Sequence, residues 1–246
     1  MRKAIVTGGT RGIGYAIARA LLGDGGQVMI TGLNRDGVDR AVRQLEQDAG
    51  AAGRVAGTRS DVRVRADVEA LVADVVRQFG GLDTLVNNAG VGAFKDVAET
   101  TDDDWHRVLD TNLMGPFLCS RAVIPVLRQA GGGWIINIAS LAGRNAFPGG
   151  GVYCASKAAL ISFSESLMQE VRFDNIRVSV IMPGSVSTEF STRSKDDDDS
   201  WKLTPDDVAQ AVMNLLNHPA GSLPSKVEIR PAKTKRARSS TPLTQP

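Results

Sequence analysis

Tyr153 and Lys157 lie four residues apart in Tyr153-Cys154-Ala155-Ser156-Lys157, a spacing that sets a phenol and an ammonium on one face of a helix. A free tyrosine has a pKa near 10, so only about one molecule in a thousand is ionised at neutral pH. An ammonium about 4 Å away stabilises the phenolate by up to ~4 kcal/mol at an effective dielectric near 20. At ~1.4 kcal/mol per pKa unit, that lowers the phenol by as much as about 3 units. The pair then predicts a proton donor and acceptor working near pH 7. Helices carry this spacing often by chance, and a core tyrosine beside a solvated lysine explains it equally well in isolation. Ser140 adds the weight. It closes an apolar run just upstream, at 134–139, and residues at the carboxyl ends of strands in an open parallel sheet face the ligand crevice.

A second stretch points to binding rather than reaction. Thr7-Gly8-Gly9-Thr10-Arg11-Gly12-Ile13-Gly14 follows a short apolar run and precedes a helical pattern. Glycines let a backbone approach a pyrophosphate, whose charge is stabilised by free N–H groups at a helix N-terminus. Tight turns need glycine too. The strand before, the helix after and the spacing Gly-x3-Gly-x-Gly together point to a nucleotide.

Both stretches need a scaffold, and the pattern around them supplies one. Short apolar, β-branched runs at 3–7, 27–31, 54–58, 84–87, 134–139, 177–182 and 226–229 alternate with amphipathic segments. Those segments, at 15–23, 35–48, 66–79, 102–129, 151–173 and 205–217, read as helices. Such alternation predicts βαβ units, and so a doubly wound, mostly parallel seven-stranded α/β sheet with helices on both faces. A length of 246 residues with 42% apolar content suits one such domain, expected over 1–230.

Composition excludes several classes. A net charge of +2 gives no field for nucleic acid. His106 and His218 lie far apart, and Cys119 and Cys154 form no CxxC, so no metal site is expected and the thiols read as small core hydrophobes. No run approaches the roughly 20 apolar residues of a membrane helix, and a soluble, cytoplasmic protein is expected. Residues 231–246 carry Lys233, Lys235, Arg236 and Arg238 among Pro, Ser and Thr, which predicts a disordered basic tail.

The glycine turn resembles the TGxxxGxG turn of short-chain dehydrogenases/reductases, and the resemblance runs from residue 3 to about 230. Asp61-Val62 looks like the family's adenine-contacting pair, and Asn87-Asn88-Ala89-Gly90 matches its NNAG turn. Asn112 stands in a matching W-x6-N helix beginning at Trp105, and Pro183-Gly184-Ser185-Val186-Ser187-Thr188 matches the PG-x-V-x-T segment bordering the nicotinamide. The resemblance implies a Rossmann-type fold and an oxidoreductase acting on a carbonyl or secondary alcohol. It implies that Ser140 bonds the substrate oxygen, Tyr153 exchanges its proton, Lys157 holds the nicotinamide ribose, and Asn112 anchors a proton-relay water. Cofactor contacts are expected at Thr7, Gly8, Thr10, Arg11, Gly12, Ile13, Gly14, Leu33, Asn34, Arg35, Asp61, Val62, Asn88, Ala89, Gly90, Pro183, Gly184, Val186 and Thr188, besides Tyr153 and Lys157.

NADP(H) is expected over NAD(H). An NAD site places an acid at the end of the second strand, against the ribose hydroxyls; here that position is Gly32. Arg11 and Arg35 could meet a 2′-phosphate, although Leu33 replaces the family's arginine directly after the strand end.

Substrate choice is expected in 91–94, 141–150 and a lid over about 184–203, with Phe94, Phe147 and Trp201 suggesting an apolar pocket. Members acting on 3-oxoacyl groups of a carrier protein are one model, and a small hydroxy acid or ketone is another. Against the first, the acidic run 196–199 would repel an acidic partner. The ending Leu223-Pro224-Ser225-Lys226-Val227-Glu228-Ile229-Arg230 also lacks the glycine pair of those reductases. A homodimer or homotetramer is expected. A different reading, a catalytically silent NADP-binding regulator on the same fold, is disfavoured by Asn112, Ser140, Tyr153 and Lys157, which a sensor does not need.

Overall fold

Buried apolar runs make the central strands. The computed structural model describes residues 1–190 and 199–233, and these build one seven-stranded, wholly parallel sheet in the order β3-β2-β1-β4-β5-β6-β7. The strands are β1 (Lys3–Val6), β2 (Gln27–Gly32), β3 (Val55–Arg59), β4 (Thr84–Asn87), β5 (Gly133–Ile138), β6 (Ile176–Pro183) and β7 (Lys226–Ile229). Neighbouring residues of β1 feed opposite faces, as the pleat requires. Ala4 and Val6 pack with Ala16, Leu21, Val38 and Val212, whereas Ile5 packs with Val68, Leu118 and Leu167. Burial on both faces explains why the runs are continuous rather than alternating.

The helices are α1 (Gly12–Gly23), α2 (Arg35–Asp48), α3 (Arg65–Phe79), α4 (Asp102–Leu109), α5 (Gly115–Gln129), α6 (Gly151–Val171) and α7 (Pro205–Leu216). Local signals end several of them. Gly80, at φ 69°, closes α3 in the left-handed conformation, and Thr204 with Asp207 forms a capping box at the start of α7. Among the described residues no helix is long and apolar enough to cross a membrane.

Two expectations need correction. Helix α1 starts at Gly12, inside the glycine turn, and not at residue 15. The helix expected over 102–129 is broken by a π-helical turn at Asp110–Met114, where the chain makes room for the Asn112 contacts described below. Single π turns inside helices gather at functional sites. Residues 191–198, which hold most of the acidic run 196–199, and the tail from 234 to 246 lie outside the described residues. Asp199 is described, and its carboxylate pairs with Lys202 at 2.5 Å.

Strand order reverses between β1 and β4, so the connections leave their carboxyl ends in opposite directions and open a crevice there. The glycine turn, the NNAG turn, Ser140 and the 183–188 segment all lie at that edge.

Candidate active site

Thr7 ties the first two pieces together. Its buried hydroxyl accepts the backbone N–H groups of Asn88 and Ala89, both at 3.0 Å. Asn88 answers by donating Nδ2 to the carbonyls of Thr7 at 3.0 Å and Gly8 at 3.1 Å. The close approach demands glycine. A Cβ at Gly14 would stand 2.4 Å from both Asn88 Nδ2 and the Gly8 oxygen, and Gly8, at φ +64°, would meet Ala89 Cα at 2.9 Å. Gly12, at φ +56°, has only the Thr188 side chain near its missing Cβ, from 3.6 Å. The residue before α1, Arg11, gives no side-chain cap, so the first N–H groups of the helix are left for another partner. Ile13 turns inward against the core.

Asn112 is fully buried in the π turn. Its Oδ1 accepts Val91 N at 2.9 Å, and its Nδ2 donates to Val91 O at 2.9 Å and to Ser156 Oγ at 3.0 Å. Both amide hydrogens are thus committed to protein partners, and a water could reach only the remaining lone pair of Oδ1. Ser156, which sequence reasoning passed over, donates in turn to the Tyr153 carbonyl at 2.7 Å. This chain locks the NNAG turn, the π turn and the start of α6 to one another. Asn112→Ala would strand these buried groups, so we expect a loss of about 2–4 kcal/mol in urea unfolding, at 1–3 kcal/mol per orphaned group.

Ser140 ends the β5 connection as the cap of a 3-10 turn, Leu141–Gly143, with its Oγ accepting Ala142 N at 3.1 Å. Tyr153 is half-buried. Desolvation pushes its phenol above the ordinary tyrosine value, and a hydrogen bond from Ser140 pulls the other way. Lys157 is buried. Its Nζ donates to the Ile138 carbonyl at 3.0 Å and stands 5.9 Å from the centre of the Tyr153 ring. Desolvation pushes the ammonium down to about 8. In the free protein burial thus sets the direction for both groups, and the phenol lies above its ordinary value rather than below it as the spacing predicts.

The remaining expected contacts fall in two groups. Pro183 ends β6, Gly184 donates to the Ile229 carbonyl at 2.8 Å, and Val186 bridges to Leu203. Ser187 N donates to the Leu203 carbonyl at 2.8 Å, so the base of the expected lid is pinned to the 199–203 stretch. At the far end of the crevice, Leu33 is 62% exposed and Asn34 caps α2 by accepting Gly37 N at 2.9 Å. Arg35 pairs with Asp39, and Arg11 pairs with Glu189 at 2.8 Å with both side chains exposed. Asp61 is gripped by Arg63 at 2.6 Å, which holds its carboxyl below the usual range, and Val62 turns into the core. Arg59 was missed. It pairs in register with Gly32, is exposed, and is visible only once β2 and β3 are aligned.

Beside Tyr153 stand three phenyl rings. Phe94 meets Tyr153 edge-on at 5.4 Å, Phe147 at 6.2 Å and Phe190 at 6.2 Å, and Phe190 lies 5.7 Å from Tyr153. Phe190 lies two residues past Thr188, and the Trp201 ring has Lys202 Nζ over it at 5.9 Å.

A family model described as short chain dehydrogenase matches residues 2–199. The chain belongs to the short-chain dehydrogenase family. It is accordingly an oxidoreductase, which sets aside the reading as a silent regulator. This short-chain dehydrogenase is 35% identical to dehydrogenase/reductase SDR family member 4 of Homo sapiens, over 92% of the chain and 84% of the relative. Among solved structures it matches a metagenomic short-chain oxidoreductase in complex with NADP, with a TM-score of 0.81 and 34% identity. That match covers 94% of this chain and 98% of the other. An alcohol dehydrogenase from Thermococcus sibiricus complexed with 5-hydroxy-NADP aligns with a TM-score of 0.87 at 29% identity, covering 96% and 99%.

Proposed function

We propose that this short-chain dehydrogenase interconverts a carbonyl and a secondary alcohol with NADP(H), using Tyr153 as the proton donor and acceptor. The observation that carries the reading is the convergence of Ser140, Tyr153 and Lys157 on one side of a glycine cradle that a Cβ would fill. When bound, the reduced nicotinamide supplies a hydride and is oxidised by two electrons. The positive φ of Gly8 and Gly12, the uncapped start of α1 and the buried Lys157 ammonium with its carbonyl partner fit a dinucleotide. Lys157 would hold the ribose, the N–H groups of α1 would receive the pyrophosphate, and Thr188 and Val186 would border the nicotinamide. Ser140 donates to the substrate oxygen, and Asn112 positions the Tyr153 backbone through Ser156.

The shifted phenol sets a direction. Tyr153 stays protonated through neutral pH, so it enters the reduction as a ready acid and must be deprotonated for the oxidation. Reduction should therefore hold its rate from pH 6 to 8, and oxidation should climb as pH rises. Initial rates in both directions across pH 6–10 test this.

The cofactor preference rests on Gly32 in place of an acid, on Arg35 and Arg59 beside that position, and on Arg11 in the glycine turn. The exposed Arg11–Glu189 pair is worth at most about 1 kcal/mol and yields readily to a phosphate. The two compared structures hold NADP and a derivative of it. Titration should give NADPH at least about tenfold tighter than NADH (~1.4 kcal/mol). A Cβ at Gly32 would crowd Thr10 at 2.8 Å, so Leu33→Asp is the cleaner test. It should weaken NADPH by tenfold or more and leave NADH nearly unchanged; equal losses would sink the preference.

Within this reading the phenyl rings beside Tyr153 favour a ketone over a hydroxy acid or a carrier-bound 3-oxoacyl group. A homo-oligomer completes the proposal, supported by exposed apolar surface at Met114 and at Phe117, which packs on Phe163. Light scattering on the purified chain tests the oligomer.

A further inference from the structure

We infer that the cleft beside Tyr153 selects carbonyl compounds bearing an aromatic ring next to the reacting carbon. This rests on the carbonyl chemistry proposed above and adds the substrate class to it. Phe94, Phe147 and Phe190 are 46%, 43% and 44% exposed, whereas apolar side chains of this size are ordinarily covered. They come from three different connections, after β4, β5 and β6, and meet only here. Nor are they loosely placed. A Cβ at Gly92 would stand 2.7 Å from the Phe94 ring and 3.3 Å from Phe190, and one at Gly150 would stand 2.6 Å from Phe147. Two glycines thus let the rings seat against backbone, leaving their outer surfaces free beside the phenol.

Their arrangement favours an aryl group over an alkyl chain. Centroid spacings of 5.4–6.2 Å and interplanar angles of 28°, 62° and 76° around Phe94 offer a guest both ring faces and ring edges. Aromatic pairs gain from such contacts beyond the area they bury, and an alkyl chain gains from area alone. Charge disfavours the acidic alternatives. Lys95 and Arg107 are held by Asp104, Arg144 by Glu228 and Arg11 by Glu189. Each of these four cations already has a carboxylate, so an anionic substrate gains no unpaired partner from them. In the reduction, the carbonyl carbon receives the hydride, the C=O π pair moves to oxygen, and oxygen takes the Tyr153 proton. The aryl ketone becomes the secondary alcohol as the nicotinamide is oxidised.

Acetophenone and cyclohexyl methyl ketone have nearly the same size, so their comparison isolates the ring. Binding to the protein saturated with NADP is read by saturation-transfer NMR, and NADPH oxidation is followed separately by absorbance. We expect acetophenone to bind at least about tenfold tighter. The preference should fall towards parity in Phe94→Leu, Phe147→Leu and Phe190→Leu, which keep apolar area and remove the π face. Equal affinities in the wild type, or a free 3-oxo acid turned over with the highest kcat/KM, would overturn the inference while leaving the oxidoreductase reading intact. Tight, phenylalanine-dependent binding of acetophenone without NADPH oxidation by any carbonyl would uphold the aromatic site and overturn the proposed reaction instead.

Discussion

Tyr153→Phe should lower turnover by ~10²–10⁴ while leaving NADPH affinity within a few-fold of wild type. The ring stays and keeps its contacts with Phe94 and Phe190, so packing and the cradle are preserved. What goes is the hydroxyl proposed to pass a proton to the substrate oxygen, and losses of this size follow removal of a positioned acid. Ser140→Ala should also cost rate with little change in cofactor affinity, since its hydroxyl serves the same oxygen. The double variant should lose far less than the product of the single losses, because groups acting on one oxygen are not additive. Steady-state rates with isothermal titration of NADPH give both numbers. A phenylalanine enzyme turning over at the wild-type rate would end the mechanism.

Lys157→Met has the second large effect and differs in kind. Both NADPH affinity and turnover should fall by tenfold or more, since the proposed ribose contact and the cation 5.9 Å from the phenol ring disappear together. Stability should behave otherwise. Lys157 has a folded pKa of about 8 against an ordinary 10.5, so the unfolded chain binds more protons between these values. The wild type therefore gains stability as pH rises from about 8 towards 10.5, and is penalised below 8 by the cost of burying the charge. That penalty is on the order of 3 kcal/mol. Methionine removes it but orphans the Ile138 carbonyl at about 1–3 kcal/mol. Net stability at pH 7 should change little, and the rise in Tm between pH 8 and 10 should vanish. Melting curves at several pH values, run without cofactor, separate this from a folding defect.

Much of this molecule is written locally. The apolar runs locate the seven strands to within a residue or two; the central ones are apolar throughout because both faces are buried, while the edge strands β3 and β7 are only partly buried. The glycine turn is legible for a related reason, since only glycine fits where backbones approach as closely as Gly8, Gly14 and Asn88 do. Tyr153, Lys157, Ser140 and Asn112 could be named because their types and order carry the family resemblance.

Tertiary structure decided the rest. The π turn at Asp110–Met114 has no local signal, since it exists to let Asn112 reach Val91, 21 residues away in the chain, and Ser156, 44 away. Phe190 is an ordinary residue until β4, β5 and β6 bring it against Phe94 and Tyr153, and Arg59 matters only through its register with Gly32. The ionisation of the site belongs here as well. Spacing on α6 brings Lys157 near Tyr153, but burial acts on both groups and the Ile138 carbonyl engages the ammonium. Helical spacing is a property of a short segment of chain. Desolvation and register belong to the packed whole, and no window of residues along the chain contains them.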